Sequence, residues 1–170
     1  VQIHANVSGY EIQGVIADVG DRVKKGDVLA WLSDDALTAQ YEQATAEYSR
    51  AEAAVRQAES QIDSAVAALT EAASTLDRTR SLRKSGNASQ AVLDQAVAAE
   101  ASAQAASALA ADGLTVARAT LAQAEAARRL ARLNLDYARI KSPVDGVVIE
   151  RTAELGAISG TGGDPLFTVI

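Results

Sequence analysis

Residues 37–76 read LTAQYEQATAEYSRAEAAVRQAESQIDSAVAALTEAASTL, and apolar side chains recur in them at alternating steps of four and three. The series is Leu37, Tyr41, Ala44, Tyr48, Ala51, Val55, Ala58, Ile62, Ala65, Leu69, Ala72 and Leu76, with no step broken. A repeat of seven with two apolar positions predicts a helix whose seam packs on another helix in a left-handed coiled coil. One seam position is large and the other is alanine, so the partner backbone is expected to approach closely.

That partner lies downstream. Alanine recurs every seven residues at Ala96, Ala103, Ala110, Ala117, Ala124, Ala131 and Ala138, alternating with Leu93, Glu100, Ser107, Leu114, Leu121, Arg128 and Leu135. Pairing Ala72 with Ala103 also pairs Ala65 with Ala110, Ala58 with Ala117, Ala51 with Ala124 and Ala44 with Ala131. The midpoint of this register falls between Asn87 and Ala88. Turn chemistry places the bend at Ser85-Gly86-Asn87 independently. Residues 34–139 hold no proline, and their only glycine besides Gly86 is Gly113. The expectation is an antiparallel helical hairpin over 34–139 with its turn near 85–88. Each arm has about 50 residues, or about 75 Å at 1.5 Å per residue. Glu100 and Ser107 interrupt the seam, so the part nearest the turn is expected to be the most compliant.

The segments outside the hairpin, 1–33 and 140–170, are strand-like, with short β-branched runs between glycine turns. They resemble two copies of one unit. Ser8-Gly9, Gly20 and Val28-Leu29 in the first match Asp145-Gly146, Gly156 and Leu166-Phe167 in the second. Each copy is too small to bury a core alone. The helical register returns the chain to its starting point, since Leu37 falls opposite Ala138, so the two copies are expected to form one β domain. Gly9 and Gly20 are one residue further apart than Gly146 and Gly156, which predicts a bulge in the first copy.

Composition narrows the function. The chain has 170 residues, 48% hydrophobic but only 4% aromatic, with no cysteine, no methionine and a net charge of −6. Much of the apolar content is alanine, which suits slender helices. The acidic balance argues against nucleic acid. No disulfide, cysteine metal site or soft-metal relay can be built. No run of 18 apolar residues occurs, as a membrane-spanning helix requires. The lone His4 has no set of neighbours for catalysis or metal binding. No cofactor, metal or catalytic residue is expected.

With a β domain split by a coiled-coil hairpin, the sequence resembles the periplasmic adaptor, or membrane fusion protein, family (HlyD-like). VSGYEIQGVIADVGDRVKKGDVLAWL (7–32) and LDYARIKSPVDGVV (135–148) are similar to its signatures. The resemblance implies an α+β fold, a long antiparallel coiled-coil hairpin inserted between the halves of a lipoyl/biotinyl-like β-sandwich. A lipoyl or biotinyl carrier needs a lysine at the turn joining its halves. The hairpin replaces that turn, and Lys24 and Lys25 lie elsewhere, so a carrier role is not expected.

The family also implies a partner at the hairpin tip. Adaptors of TolC-type outer-membrane channels carry arginine, three residues, leucine, six residues and serine there; Arg78, Leu82 and Ser89 fit both spacings. Counting on from Leu76, the seam passes through Thr79 and Arg83, which leaves Leu82 on the flank with Arg78. Arg83 and Lys84 suit a helix C-terminus, and Ser89 suits an N-cap. The implied protein is a non-enzymatic periplasmic adaptor anchored to the inner membrane. It joins an inner-membrane transporter, most simply of the resistance-nodulation-division (RND) type, to a TolC-type channel, and self-associates into a ring, expected to be a hexamer. A type I secretion or major-facilitator system is the alternative within the family; a structural coiled-coil spacer is the alternative outside it. Full adaptors also carry a β-barrel, a membrane-proximal domain and an anchor, so the chain is expected to be part of a longer protein.

Overall fold

A computed structural model describes residues 1–160 and 165–170; the rest of the second β copy, between Gly160 and Pro165, lies outside the described residues. The elements in chain order are β1 (Gln2–Ile3), β2 (Ile12–Val15), β3 (Arg22–Val23), β4 (Val28–Leu32), α1 (Asp35–Lys84), α2 (Gln90–Tyr137), β5 (Arg139–Lys141), β6 (Gly146–Arg151) and β7 (Phe167–Val169). Two compact units result: Val1–Ala46 with Ala126–Ile170, and Glu47–Glu125.

In the first unit, β1-β7-β6-β3 form one sheet and β2-β4-β5 the other, with every pairing antiparallel. Each sheet takes strands from both chain segments. Alternation puts Ile12, Leu29, Leu32, Ile140, Val148, Phe167 and Val169 into one shared core, joined by Leu37 of α1 and Ala138. Burying apolar surface stabilises by ~25 cal/mol per Å², so this shared core holds the two segments together. The buried hydroxyls are satisfied by backbone carbonyls. Ser142 donates to the Val144 carbonyl (2.7 Å) and Ser159 to the Val7 carbonyl (3.1 Å).

The internal repeat is visible as reciprocal hydrogen bonding. Gly20 N–H donates to the Val148 carbonyl at 2.8 Å, and its counterpart Gly156 N–H donates to the Ile12 carbonyl at 2.9 Å. In return Val148 N–H reaches the Asp21 carbonyl and Ile12 N–H reaches the Ala157 carbonyl. Both glycines have positive φ (99° and 83°), where a side chain would be strained. The expected bulge is present, with a register shift between Ile12 and Gly14, but its counterpart shifts equally between Val148 and Glu150. A bulge shared by both copies cannot account for the extra residue of the first. That residue lies upstream, where three steps separate Gly9 from Ile12 and only two separate Gly146 from Val148.

On α1 and α2 the residues of both heptad series are buried or half-buried, and nearly all others are exposed. Within the second unit the two helices meet in the register that the sequence implies. Arg118 pairs with Glu59 at 3.5 Å, beside the Ala58–Ala117 layer. Ala65 and Ala110 line one groove together. In the first unit, the Arg132 guanidinium lies 5.5 Å from the centre of the Tyr41 ring, a cation–π contact across the same helix pair that the sequence did not signal.

Burial along the seam does not fade towards the turn. Leu76, Thr79 and Ala96 are buried there, whereas Ile62, Leu69 and Ala72 further back are only half-buried. Thr79 satisfies its own hydroxyl on the Thr75 carbonyl at 2.8 Å and brings no unmet polar group into the seam.

Candidate docking tip

The apex is assembled from two helix ends. α1 stops at Lys84 because Gly86 takes φ 78°, which turns the chain left-handed. Asn87 N–H then donates to the Leu82 carbonyl (2.8 Å) and Gly86 N–H to the Arg83 carbonyl (3.1 Å). This pair of bonds is the Schellman motif, and it satisfies carbonyls that a helix end leaves open. The Ser85 hydroxyl also donates to the Leu82 carbonyl (3.0 Å) and accepts from the Asn87 amide (3.1 Å). Arg83 and Lys84 occupy the last turn, where cations complement the helix dipole.

α2 begins at Gln90, directly after Ser89. The Ser89 hydroxyl accepts from Val92 N–H at 3.3 Å, as an N-cap does. The Gln90 side chain donates to Asp94 at 2.8 Å one turn on. Both helix ends are thereby fixed through side chains of the turn itself.

The three residues singled out in the sequence fall on this apex as follows. Arg78 is exposed two turns before the end of α1, and the ion pair nearby is between its neighbours Arg80 and Asp77 at 3.4 Å. Leu82 is 44% exposed although large and apolar, while Thr79, the preceding seam position, is 7% exposed. Leu82 is thus a flank residue and not a seam knob. Its backbone carbonyl is the acceptor that anchors the turn, so its side chain is held where it is displayed. Ser89 is exposed and structural as a cap. Val92, which the sequence pattern did not single out, is 49% exposed at the start of α2. The signal available was its heptad position, off the seam.

The connection between α1 and α2 is thus a capped, solvent-exposed turn. Comparison with known proteins places the fold. No family model matches the sequence, and no curated protein matches it. Among solved structures it is similar to MacA from Actinobacillus actinomycetemcomitans, at 26% identity and a TM-score of 0.59, over 99% of this chain and 48% of that one. It is similar to the periplasmic adaptor protein EmrA at 15% identity and TM-score 0.57, over 100% and 71% of the two chains. It is also similar to the soluble domain of LipC, a membrane fusion protein of a type I secretion system, at 19% identity and TM-score 0.50, over 100% and 98%. The chain spans about half the length of MacA. Its structural neighbours are membrane fusion proteins, or periplasmic adaptors, and support the HlyD-like adaptor family for this chain. Adaptors of this class are non-enzymatic linkers. Among the described residues no helix is long and apolar enough to cross a membrane.

Proposed function

We propose that this chain is the hairpin and lipoyl-like part of a periplasmic adaptor that joins an inner-membrane transporter to a TolC-type outer-membrane channel in a tripartite multidrug efflux pump. Residues 1–33 with 140–170 act as the split β domain, and 34–139 act as the hairpin. The tip docks on the channel through Arg78, Leu82 and Ser89. The transporter, of the RND type, is contacted through other regions of the full-length protein. That protein is held at the inner membrane, and several copies, six in our reading, pack as a ring.

The observation that carries this reading is the exposed Leu82 on a locked turn. A solvent-facing leucine gains nothing for the hairpin, and its position off the seam leaves it available to a partner. Burying such a side chain on docking is worth about 1.5–3 kcal/mol. The LipC likeness favours one second reading, an adaptor for type I secretion.

The test uses the full-length protein, with helicity and retention of a purified TolC-type channel measured on the same variants. Leu82→Asp and Arg78→Asp are expected to abolish retention and efflux with helicity unchanged. Ser89→Ala is expected to be milder, since about 1 kcal/mol of cap is lost together with any contact. Wild-type retention by a folded Leu82→Asp variant refutes the docking tip. Unfolding of the tip by that variant returns Leu82 to the helix seam.

A further inference from the structure

One flank of the hairpin can be followed to its end. Glu71, Thr75 and Ala99 line a single groove together with the seam alanines Ala72 and Ala96. One heptad nearer the turn stand Arg78 and Leu82 on α1 and Val92 on α2, each seven residues from one of those three on the same continuous helix. A heptad step keeps a residue on its face of a coiled coil, so Arg78, Leu82 and Val92 share that flank at the apex. The alanine and threonine positions behind them are small. Leu82 and Val92, 44% and 49% exposed, are the large apolar side chains of that flank at the apex.

Val92 does nothing evident for its own helix. A β-branched residue is a weak helix former, and three residues after a serine cap a glutamate would have closed a reciprocal capping box. The charge around the pair is lopsided. From Asp77 to Asp94 four cations face two carboxylates, on a chain whose net charge is −6. Arg80 is tied to Asp77, while Arg78, Arg83 and Lys84 form no ion pair among the described residues.

We infer that Val92 is a further docking residue: Leu82 and Val92 together enter an apolar slot on a protein partner whose rim is acidic, with Arg78 alongside. The inference rests on the docking reading of the tip and names the chemistry of the surface that the tip meets. Lipid is the less fitting occupant. A membrane-surface helix lays a long apolar face into the bilayer, whereas these two side chains are pinned beside a fixed turn.

Val92→Glu separates function from folding, because it completes the capping box with Ser89 and adds negative charge at a helix N-terminus. In the full-length protein it is expected to raise the hairpin's thermal midpoint and yet weaken binding of a purified TolC-type channel in detergent by roughly tenfold or more, since apolar contact is lost and an acidic rim is opposed. Val92→Ala, which changes only apolar area, is expected to weaken binding roughly fivefold. Wild-type binding should fall as salt is raised. Three outcomes overturn the inference. Wild-type channel binding by Val92→Glu, with none by Leu82→Asp, removes Val92 and leaves the docking reading standing. Binding that is independent of salt removes the acidic rim. Sedimentation of the wild type, and not of Val92→Glu, with phosphatidylglycerol vesicles but no retention of the channel makes the occupant a membrane. Wild-type channel binding by Leu82→Asp as well sinks the docking reading itself.

Discussion

Ala58→Leu is the sharpest test of the seam. Ala58 is buried at 7% exposure, its register partner is Ala117, and Glu59 and Arg118 beside that layer are drawn to 3.5 Å. A leucine there has no void to enter, so the helices must part or the side chain must leave its rotamer. Such overpacking costs about 1–3 kcal/mol. For a chain of this length that lowers the melting temperature by roughly 2–12 °C. Ala53→Leu is the control. It introduces the same side chain on the same helix at an exposed position, and its effect should stay within about 0.5 kcal/mol. A second substitution on α2 isolates the layer. Ala117→Gly costs about 1 kcal/mol by itself through helix propensity, but it removes the methyl group that the introduced leucine would strike. The double variant is therefore expected to be more stable than the two single effects predict, by about 0.5 kcal/mol or more. The assay is urea and thermal unfolding followed by circular dichroism at the helical minimum, comparing midpoints at constant slope. Equal shifts for Ala58→Leu and Ala53→Leu, or strict additivity with Ala117→Gly, would refute the register.

Gly146→Ala should destabilise the β unit by more than about 2 kcal/mol, because its Cβ would meet the Ile170 carbonyl oxygen well inside contact distance; unfolding midpoints check it, and a neutral change would mean that β6 and the chain at Ile170 can separate freely. Asp18 is held below the usual carboxylate range by the Val19 N–H and then by Arg151, so its contribution is present above the ordinary aspartate value and lost as pH falls through the lowered one. Asp18→Asn should accordingly be less stable than wild type near neutrality, with the gap closing below about pH 4; a gap that is constant with pH would deny the carboxylate that role. Residues 1–33 joined by a short turn to 140–170 are expected to give a dispersed, β-rich amide spectrum, and a collapsed spectrum would mean that the β halves need the helices to fold.

The helical part was legible because burial along a coiled coil is written at a fixed period. Every position from Leu37 to Leu76 that the heptad selected is buried or half-buried, and Leu82 is exposed as its phase requires. The glycine turn was legible for the same kind of reason, since a positive φ at Gly86 leaves a local mark. Strand partnership leaves none. The repeat announced two related halves, but nothing in either half says that Ile3 will lie against Phe167. The bulge was attached to a length difference that lies elsewhere because it occurs in both copies. At the tip, a spacing pattern singled out Arg78, Leu82 and Ser89, and that pattern has no place for Val92. The cation over Tyr41 came from Arg132, whose neighbours along the chain are no guide to a ring on the other helix.

The order of the strands constrains the order in which this β unit can be made. β7 is the last of its strands to be synthesised, and it is paired on both sides, with β1 and with β6. A ribosome releasing the chain therefore emits an N-terminal segment whose apolar residues have no complete sheet to join until Phe167–Val169 emerges. Contacts this distant in sequence are slow to form, because loop closure must come before they are rewarded. A chain cut just before Phe167 would lack an interior strand and leave Gln2–Ile3 and Gly146–Arg151 with open edges, which are templates for aggregation. For this topology, both helices must be translated in full before the β unit can close.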